Sequence, residues 1–428
     1  MTLYLKNALY LDYQSLDFQQ TGLAVEEGPQ GGLRLIKAVP PLPERQAGDR
    51  VIDCRGKLVT RSFVCGHHHI YSALSRGMPP SPVVPANFAE VLEHVWWRLD
   101  KCLDNQMTEA SALFAAMGCA KRGVTFIIDH HASPFQIRGS LETIAQAFER
   151  VGVGHLLCYE ISDRDGPQKA QDGLDEHDDY LAGGRPALVG LHASFTVGDE
   201  TLKKSVDLAR KYQTGLHIHV AEAQSDQEDC LARHQLRVAQ RLHKFGVLDQ
   251  PHSILGHCVH LDEHEKKLVA ESRAWVVQSC ESNQNNNVGL TGYGWTPRVM
   301  LGVDGMHNDM IRSAQAAYLA GQSSEGISPA ALYARFRAAH RYLAETGAPG
   351  DGDNNLVIMN YQNPTPLHRD NFPGHFAFGF SGSDVETVVS QGRVIVENGR
   401  LITEDEESLV AYAREQARRL WDKMSGGL

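Results

Sequence analysis

At 428 residues, with 42% hydrophobic and 22% charged side chains, the chain is long enough for one large folded unit and a smaller one. Its net charge of −11 argues against nucleic acid or an anionic membrane as the main partner, since both demand concentrated Lys and Arg. No stretch approaches the ~18 apolar residues of a membrane-spanning helix, and the start, Met1-Thr2-Leu3-Tyr4-Leu5-Lys6, lacks a basic-then-apolar signal, so a cytoplasmic protein is expected.

Residues 1–57 carry short alternating runs such as Leu3-Tyr4-Leu5 and Gly32-Leu33-Arg34-Leu35-Ile36, and similar runs return at about 354–403. The turn residues between them predict a small β-sandwich assembled from both chain ends. From 58 to 353 the pattern changes to short apolar runs alternating with longer helical ones. Eight strands are expected, at 62–69, 124–130, 154–160, 187–193, 215–220, 253–258, 274–279 and 299–304, and eight is the number that closes a (β/α)8 barrel. Helices are expected at 108–122, 200–213 and 262–272, each bounded by a capping or breaking residue. The spacing of Leu409, Val410, Ala413, Ala417, Leu420 and Trp421 predicts a closing helix within 404–428, packed on the body or on a second copy of the chain in a homodimer. Eight scattered cysteines without Cys-x-x-Cys spacing fit free thiols in a reducing compartment, with Cys65 and Cys258 read as small buried side chains.

The chemistry sits at the strand ends. Phe63-Val64-Cys65-Gly66-His67-His68-His69 puts His67 and His69 on one face of a strand, where both can grip one ion while His68 points away. Three later apolar runs end in groups that bind metals or move protons: Leu216-His217-Ile218-His219 with Glu222 following, Ile254-Leu255-Gly256-His257, and Leu301-Gly302-Val303-Asp304. Three imidazoles and a carboxylate suit one divalent ion, Zn²⁺ or Fe²⁺, with a position left for water. His130, Glu160 and His192 also fall at expected strand ends. His217 faces the same way as His219 one layer deeper and is read as an interior hydrogen-bonding histidine. Phe88, Val91, Leu92, Val95, Trp96 and Leu99 have helical spacing, so Trp96 and its neighbour Trp97 are expected to serve packing rather than to stack on a ligand. Arg76 and the Asn283–Asn287 run could donate hydrogen bonds to a ring, or be ordinary loop.

With these motifs in place the chain resembles the amidohydrolase superfamily, in its mononuclear-metal aminohydrolase (ATZ/TRZ-like) branch. The segments Cys65–Gly77, Trp96-Trp97-Arg98-Leu99-Asp100, Asp129-His130-His131-Ala132-Ser133-Pro134 and Pro373-Gly374-His375 are similar to the SsnA-type aminohydrolases. The resemblance implies His67, His69, His219 and Asp304 as metal ligands, and Glu222, His257 and Asp304 as the catalytic groups. It also implies His192 as a substrate contact, and Glu160 and His130, from their places at strand ends, and Arg76, in the loop after the first strand, are expected to join it. The activity implied is attack of metal-bound hydroxide on a planar nitrogen heterocycle such as a purine, pyrimidine or pterin, with release of ammonia. Dehalogenation or cyclic-amide hydrolysis on a related ring, and a non-catalytic scaffold of the same fold, remain open. The run Ala187–His192 has no lysine of the kind that bridges two metals in other branches, so one ion is expected. The chain departs from the family pattern at Arg61-Ser62, Val303, His307-Asn308-Asp309 and Glu281–Asn287.

Overall fold

The computed structural model describes residues 1–29, 31–41 and 44–426. Five strands come first: β1 (Thr2–Leu11), β2 (Phe18–Glu26), β3 (Leu33–Ile36), β4 (Arg50–Asp53) and β5 (Leu58–Arg61). Eight follow at the expected places: β6 (Phe63–His68), β7 (Val124–His131), β8 (Gly154–Tyr159), β9 (Val189–Ala193), β10 (Leu216–Val220), β11 (Ile254–His257), β12 (Trp275–Gln278) and β13 (Val299–Leu301). The chain returns to the first set with β14 (Leu356–Met359), β15 (Val385–Ser390), β16 (Arg393–Glu397) and β17 (Arg400–Leu401).

Strands β6 to β13 are all parallel and form two arcs, β6-β7-β8 and β9-β10-β11-β12-β13. Isolated parallel bridges span both seams, Leu157 with Ala187 and Ile161 with Leu191 on one side, His68 with Asp304 on the other. Every residue of β7 is buried, which is why such a strand reads as a continuous apolar run rather than an alternating one. Inside, Val64, Phe126, Leu156, Ile254, Trp275 and Met300 pack against Tyr342 and Leu343 of the helix Pro329–Thr346, which closes the end of the barrel away from the strand C-termini. At the second seam a Cβ on Gly302 would lie 2.8 Å from both the Cβ and the carbonyl oxygen of His67, so only glycine lets this stretch pass so close to β6.

The strands outside the barrel form one sheet in the order β17-β16-β15-β14-β5-β1-β2-β3, with β4 added on β1. Strand β14 lies antiparallel to β5, which joins the two chain ends over Leu5, Leu23, Val59, Leu356 and Ile358. The terminal sheet therefore extends to Arg61, beyond the change of pattern at residue 58, because β5 pairs with β1 and β14.

The helix expected from Thr108 starts three residues earlier, at Asn105, because Asp104 caps it by accepting from Met107 N at 2.9 Å. The last helix, Glu406–Ser425, is capped by Asp405 and lays Ala413 and Leu420 against Leu99, Leu103 and Met107. Trp421 Nε1 donates to Leu74 O at 2.9 Å and Lys423 Nζ to Cys102 O at 2.8 Å, so this helix braces the segment that walls the site. All eight cysteines are buried and free, and burial raises the Cys65 and Cys258 thiols above their ordinary value. Among the described residues no helix is long and apolar enough to cross a membrane.

Candidate metal centre and active site

At the C-terminal ends of the barrel strands the imidazoles of His67, His69 and His219 converge, with ligand-type nitrogens all within 4.8 Å of one another. His69 Nε2 is 3.1 Å from His219 Nε2 and 3.3 Å from Asp304 Oδ1, and His67 Nε2 is 3.9 Å from that same oxygen. The opposite ring nitrogens are all engaged: His69 Nδ1 donates to His130 O at 2.6 Å, His219 Nδ1 to His192 O at 3.0 Å, and His67 Nδ1 meets His217 Nε2 at 3.0 Å. With Nδ1 donating to a carbonyl, the Nε2 atoms of His69 and His219 keep their lone pairs facing each other, an arrangement unfavourable unless something positive sits between them. His67 Nε2 is buried and has no hydrogen-bond partner. Burial, then the adjacent histidines, push His67 and His219 well below their ordinary value, so both are neutral and able to bind a cation. The donor set fits one divalent ion.

His217 is the interior hydrogen-bonding residue that its register implies. It is fully buried and orients His67. Replacing such a partner of a metal-binding histidine typically costs roughly 10–100-fold in metal affinity. His217→Leu is expected to weaken metal binding by that factor, as measured by competition with a chelator; unchanged affinity would show that His67 is oriented by packing alone.

Beside these groups stand Glu222 and His257. His257 Nε2 is 3.5 Å from Glu222 Oε2 and 3.8 Å from Asp304 Oδ2, while its Nδ1 donates to Asn283 Oδ1 at 2.7 Å. Burial raises Glu222 above the usual carboxylate range. For Asp304 burial acts in the same direction, but His69 and His257 outweigh it and hold the group low. Two carboxyls whose environments push them apart are the arrangement for one proton donor and one proton acceptor. The backbone is strained here as well: Ala221, His257 and Asp304 have φ of 46°, 65° and 55°, left-handed values for residues with a Cβ. That conformation follows from Asp304 lying beyond the end of β13, which stops at Leu301 rather than running to 304.

The helix Cys280–Asn285, inside the unusual Glu281–Asn287 run, serves all three groups. Asn283 holds His257, Ser282 hydrogen-bonds Asp304, and Asn286 Nδ2 donates to Glu222 Oε1 at 3.3 Å. The sequence showed the run as odd but not which residue meets which group.

Glu160 and His192 line the same cavity. His130 does not: it lies behind the site, fully buried, with Nε2 donating to Leu191 O and His217 O at 3.2 Å each. Arg76 also departs from its expected place. It is exposed at the C-terminal end of the Ile70–Ser75 turn and does not line the cavity, because that turn carries the chain outward. Trp96 and Trp97, expected to serve packing, both line the cavity; the π-helical turn Leu92–Trp96 brings Trp97 round so that its ring meets His192 and Arg164. Arg164, which no sequence motif marked, lines it too, with its guanidinium 5.1 Å from the Trp97 ring.

The family profile described as Amidohydrolase family matches residues 58–335. Over 98% of its length the chain is 27% identical to the 5-methylthioadenosine/S-adenosylhomocysteine deaminase of Desulforudis audaxviator, covering 99% of that protein. It is 24% identical to the 5'-deoxyadenosine deaminase of Methanococcus vannielii, over 89% of this chain and 93% of that one. The crystal structure of an adenosine deaminase from Xanthomonas campestris with bound zinc superposes with a TM-score of 0.79 at 18% identity, over 98% of each chain, which shows the shared fold.

Proposed function

Because the chain belongs to the amidohydrolase family, we propose that it is a metal-dependent hydrolytic deaminase acting on a planar nitrogen heterocycle, with His67, His69, His219 and Asp304 holding one zinc or ferrous ion. The observation that carries this reading is the convergence of three neutral imidazoles and Asp304 in one cavity with a raised carboxyl, Glu222, beside them. The deaminase names of its relatives support the same reaction class.

A divalent ion held in this set would supply the Lewis acidity that makes water nucleophilic near neutral pH. Asp304, held low, accepts the proton that the attacking water gives up, and His257, fixed by Asn283, holds that water on the side of the ring being attacked. Glu222, held high, delivers a proton to the ring nitrogen beside the carbon that bears the amino group, which makes that carbon electrophilic. Asp304 then passes that proton to the amino nitrogen, and collapse of the tetrahedral adduct expels ammonia as the hydroxyl proton returns to Glu222. Trp96 and Trp97 offer flat apolar faces to a planar ring and exclude water from it.

The test is metal analysis of the purified protein followed by an ammonia-release screen over purines, pyrimidines and pterins. One tightly bound ion per chain and ammonia from at least one ring are expected. A stoichiometric metal with no ammonia from any ring, but chloride or a ring-opened acid from a related one, would contradict the deaminase reading.

A further inference from the structure

Glu160 is a third carboxylate at the site, after Asp304 and Glu222, on the other flank of the metal histidines from Glu222. It groups with His192 and His219, and with His69 and His130, whereas Glu222 adjoins His257. It is 5% exposed and lines the cavity, and among the described residues no nitrogen or hydroxyl stands at hydrogen-bond distance from its Oε1.

Its two nearest nitrogens leave Oε1 unserved. His130 Nδ1, 3.4 Å from Oε2, serves that oxygen alone, while His130 Nε2 donates to two carbonyls. His192 Nε2 is 3.9 Å from Oε1, and His192 Nδ1 donates to Thr196 Oγ1 at 2.6 Å, a hydroxyl whose own hydrogen goes to Ala193 O; its Nε2 carries a lone pair. Arg164, the cation nearby, is ion-paired through Nη2 with Asp100 and through Nε with Asp165 at 3.2 Å, and its buried Nη1 makes no hydrogen bond to Glu160. A buried carboxylate accepts only, and one that meets no donor is costly. Oε1 is therefore an acceptor open to what binds.

We propose that Glu160 accepts a ring N–H of the substrate, and that the enzyme acts on rings whose amino-bearing carbon lies between a bare ring nitrogen and a ring N–H. The inference rests on the deaminase reading and narrows it. Glu222, on one flank, needs a bare nitrogen to protonate; Glu160, on the other, needs an N–H to accept. A carbon flanked in this way is the amino carbon of a cyclic guanidine: C2 of guanine, pterin or isocytosine. The amino carbons of adenine and cytosine have a bare nitrogen on one side and a carbon on the other, which would leave Oε1 of Glu160 without a donor. The relatives named for adenosine-type substrates would thus differ from this chain in what their sites read.

The experiment has two arms on the zinc-loaded enzyme. In the first, ammonia release from guanine, pterin and isocytosine is compared with release from adenine, adenosine and cytosine; the guanidine-type rings are expected to win by roughly 10–100-fold in kcat/KM, the worth of a hydrogen bond to a charged group. In the second, binding of hypoxanthine, which keeps the N1–H but has no amino group to lose, is compared by calorimetry with that of 1-methylhypoxanthine. The parent should bind tighter in the wild-type enzyme, and the ratio should fall toward one in Glu160→Ala, which removes the acceptor and makes room for the methyl group. Glu160→Gln, which keeps the volume, should give an intermediate ratio. A purely structural role for Glu160 would weaken both ligands and leave the ratio intact, and that result would overturn the proposal. So would faster ammonia release from adenine or cytosine, which leaves the deaminase reading standing, or a second bound metal that is lost in Glu160→Ala. Ammonia from no ring, with the hypoxanthine preference present and dependent on Glu160, would overturn the deaminase reading and the choice of substrate with it, and leave Glu160 only as the acceptor of a ring N–H.

Discussion

Glu222→Gln is expected to keep the metal and the fold while turnover falls by roughly 10²–10⁴-fold, the usual cost of removing a general acid or base. The amide matches the carboxyl in size, so its hydrogen bond with Asn286 and its contact with His257 can persist in altered form. It cannot deliver a proton to a ring nitrogen. The loss should appear in kcat more than in KM, because the step removed belongs to the transition state. Near-normal turnover with full metal content would give Glu222 another task and leave the proton route to His257.

The second large effect concerns the metal itself. Stripping the ion with a chelator is expected to abolish activity, and one equivalent of zinc or ferrous iron should restore it. The argument is the lone-pair arrangement: every Nδ1 of the three histidines is committed, and their Nε2 atoms face one another with Asp304. Without a cation that cluster is mutually repulsive, so the stripped protein should also melt at a lower temperature, by linkage of binding to folding. Activity that survives complete removal of the metal would refute the donor-set argument.

The eight barrel strands were legible because a strand buried on both faces must be apolar almost throughout, and each such run was followed by a helical pattern. The gathering of the candidate residues in one place was legible because a strand end fixes geometry by spacing: His67 and His69 share a face, and Glu222 follows three residues after His219, just past the strand end. Strand ends were less legible. The reading carried the last strand to Asp304, whereas the chain leaves the sheet at Leu301 and turns through a left-handed residue, a conformation imposed by contacts from β6 rather than by local preference. Residues that long connections bring to the site were hardest to place. Arg164 and Trp97 meet each other and His192 only after the barrel has closed, and the helical spacing around Trp96 is equally that of a core helix. The same uncertainty explains Arg76, which lies seven residues past His69 in the chain but faces solvent.

The most direct test of the central claim is to run the reaction on a guanidine-type ring in ¹⁸O-labelled water and analyse both products. Hydrolytic deamination requires one equivalent of ammonia for each ring converted, with a single ¹⁸O at the carbon that lost nitrogen. Conversion without ammonia, or a ring product carrying no solvent oxygen at that carbon, would contradict the account.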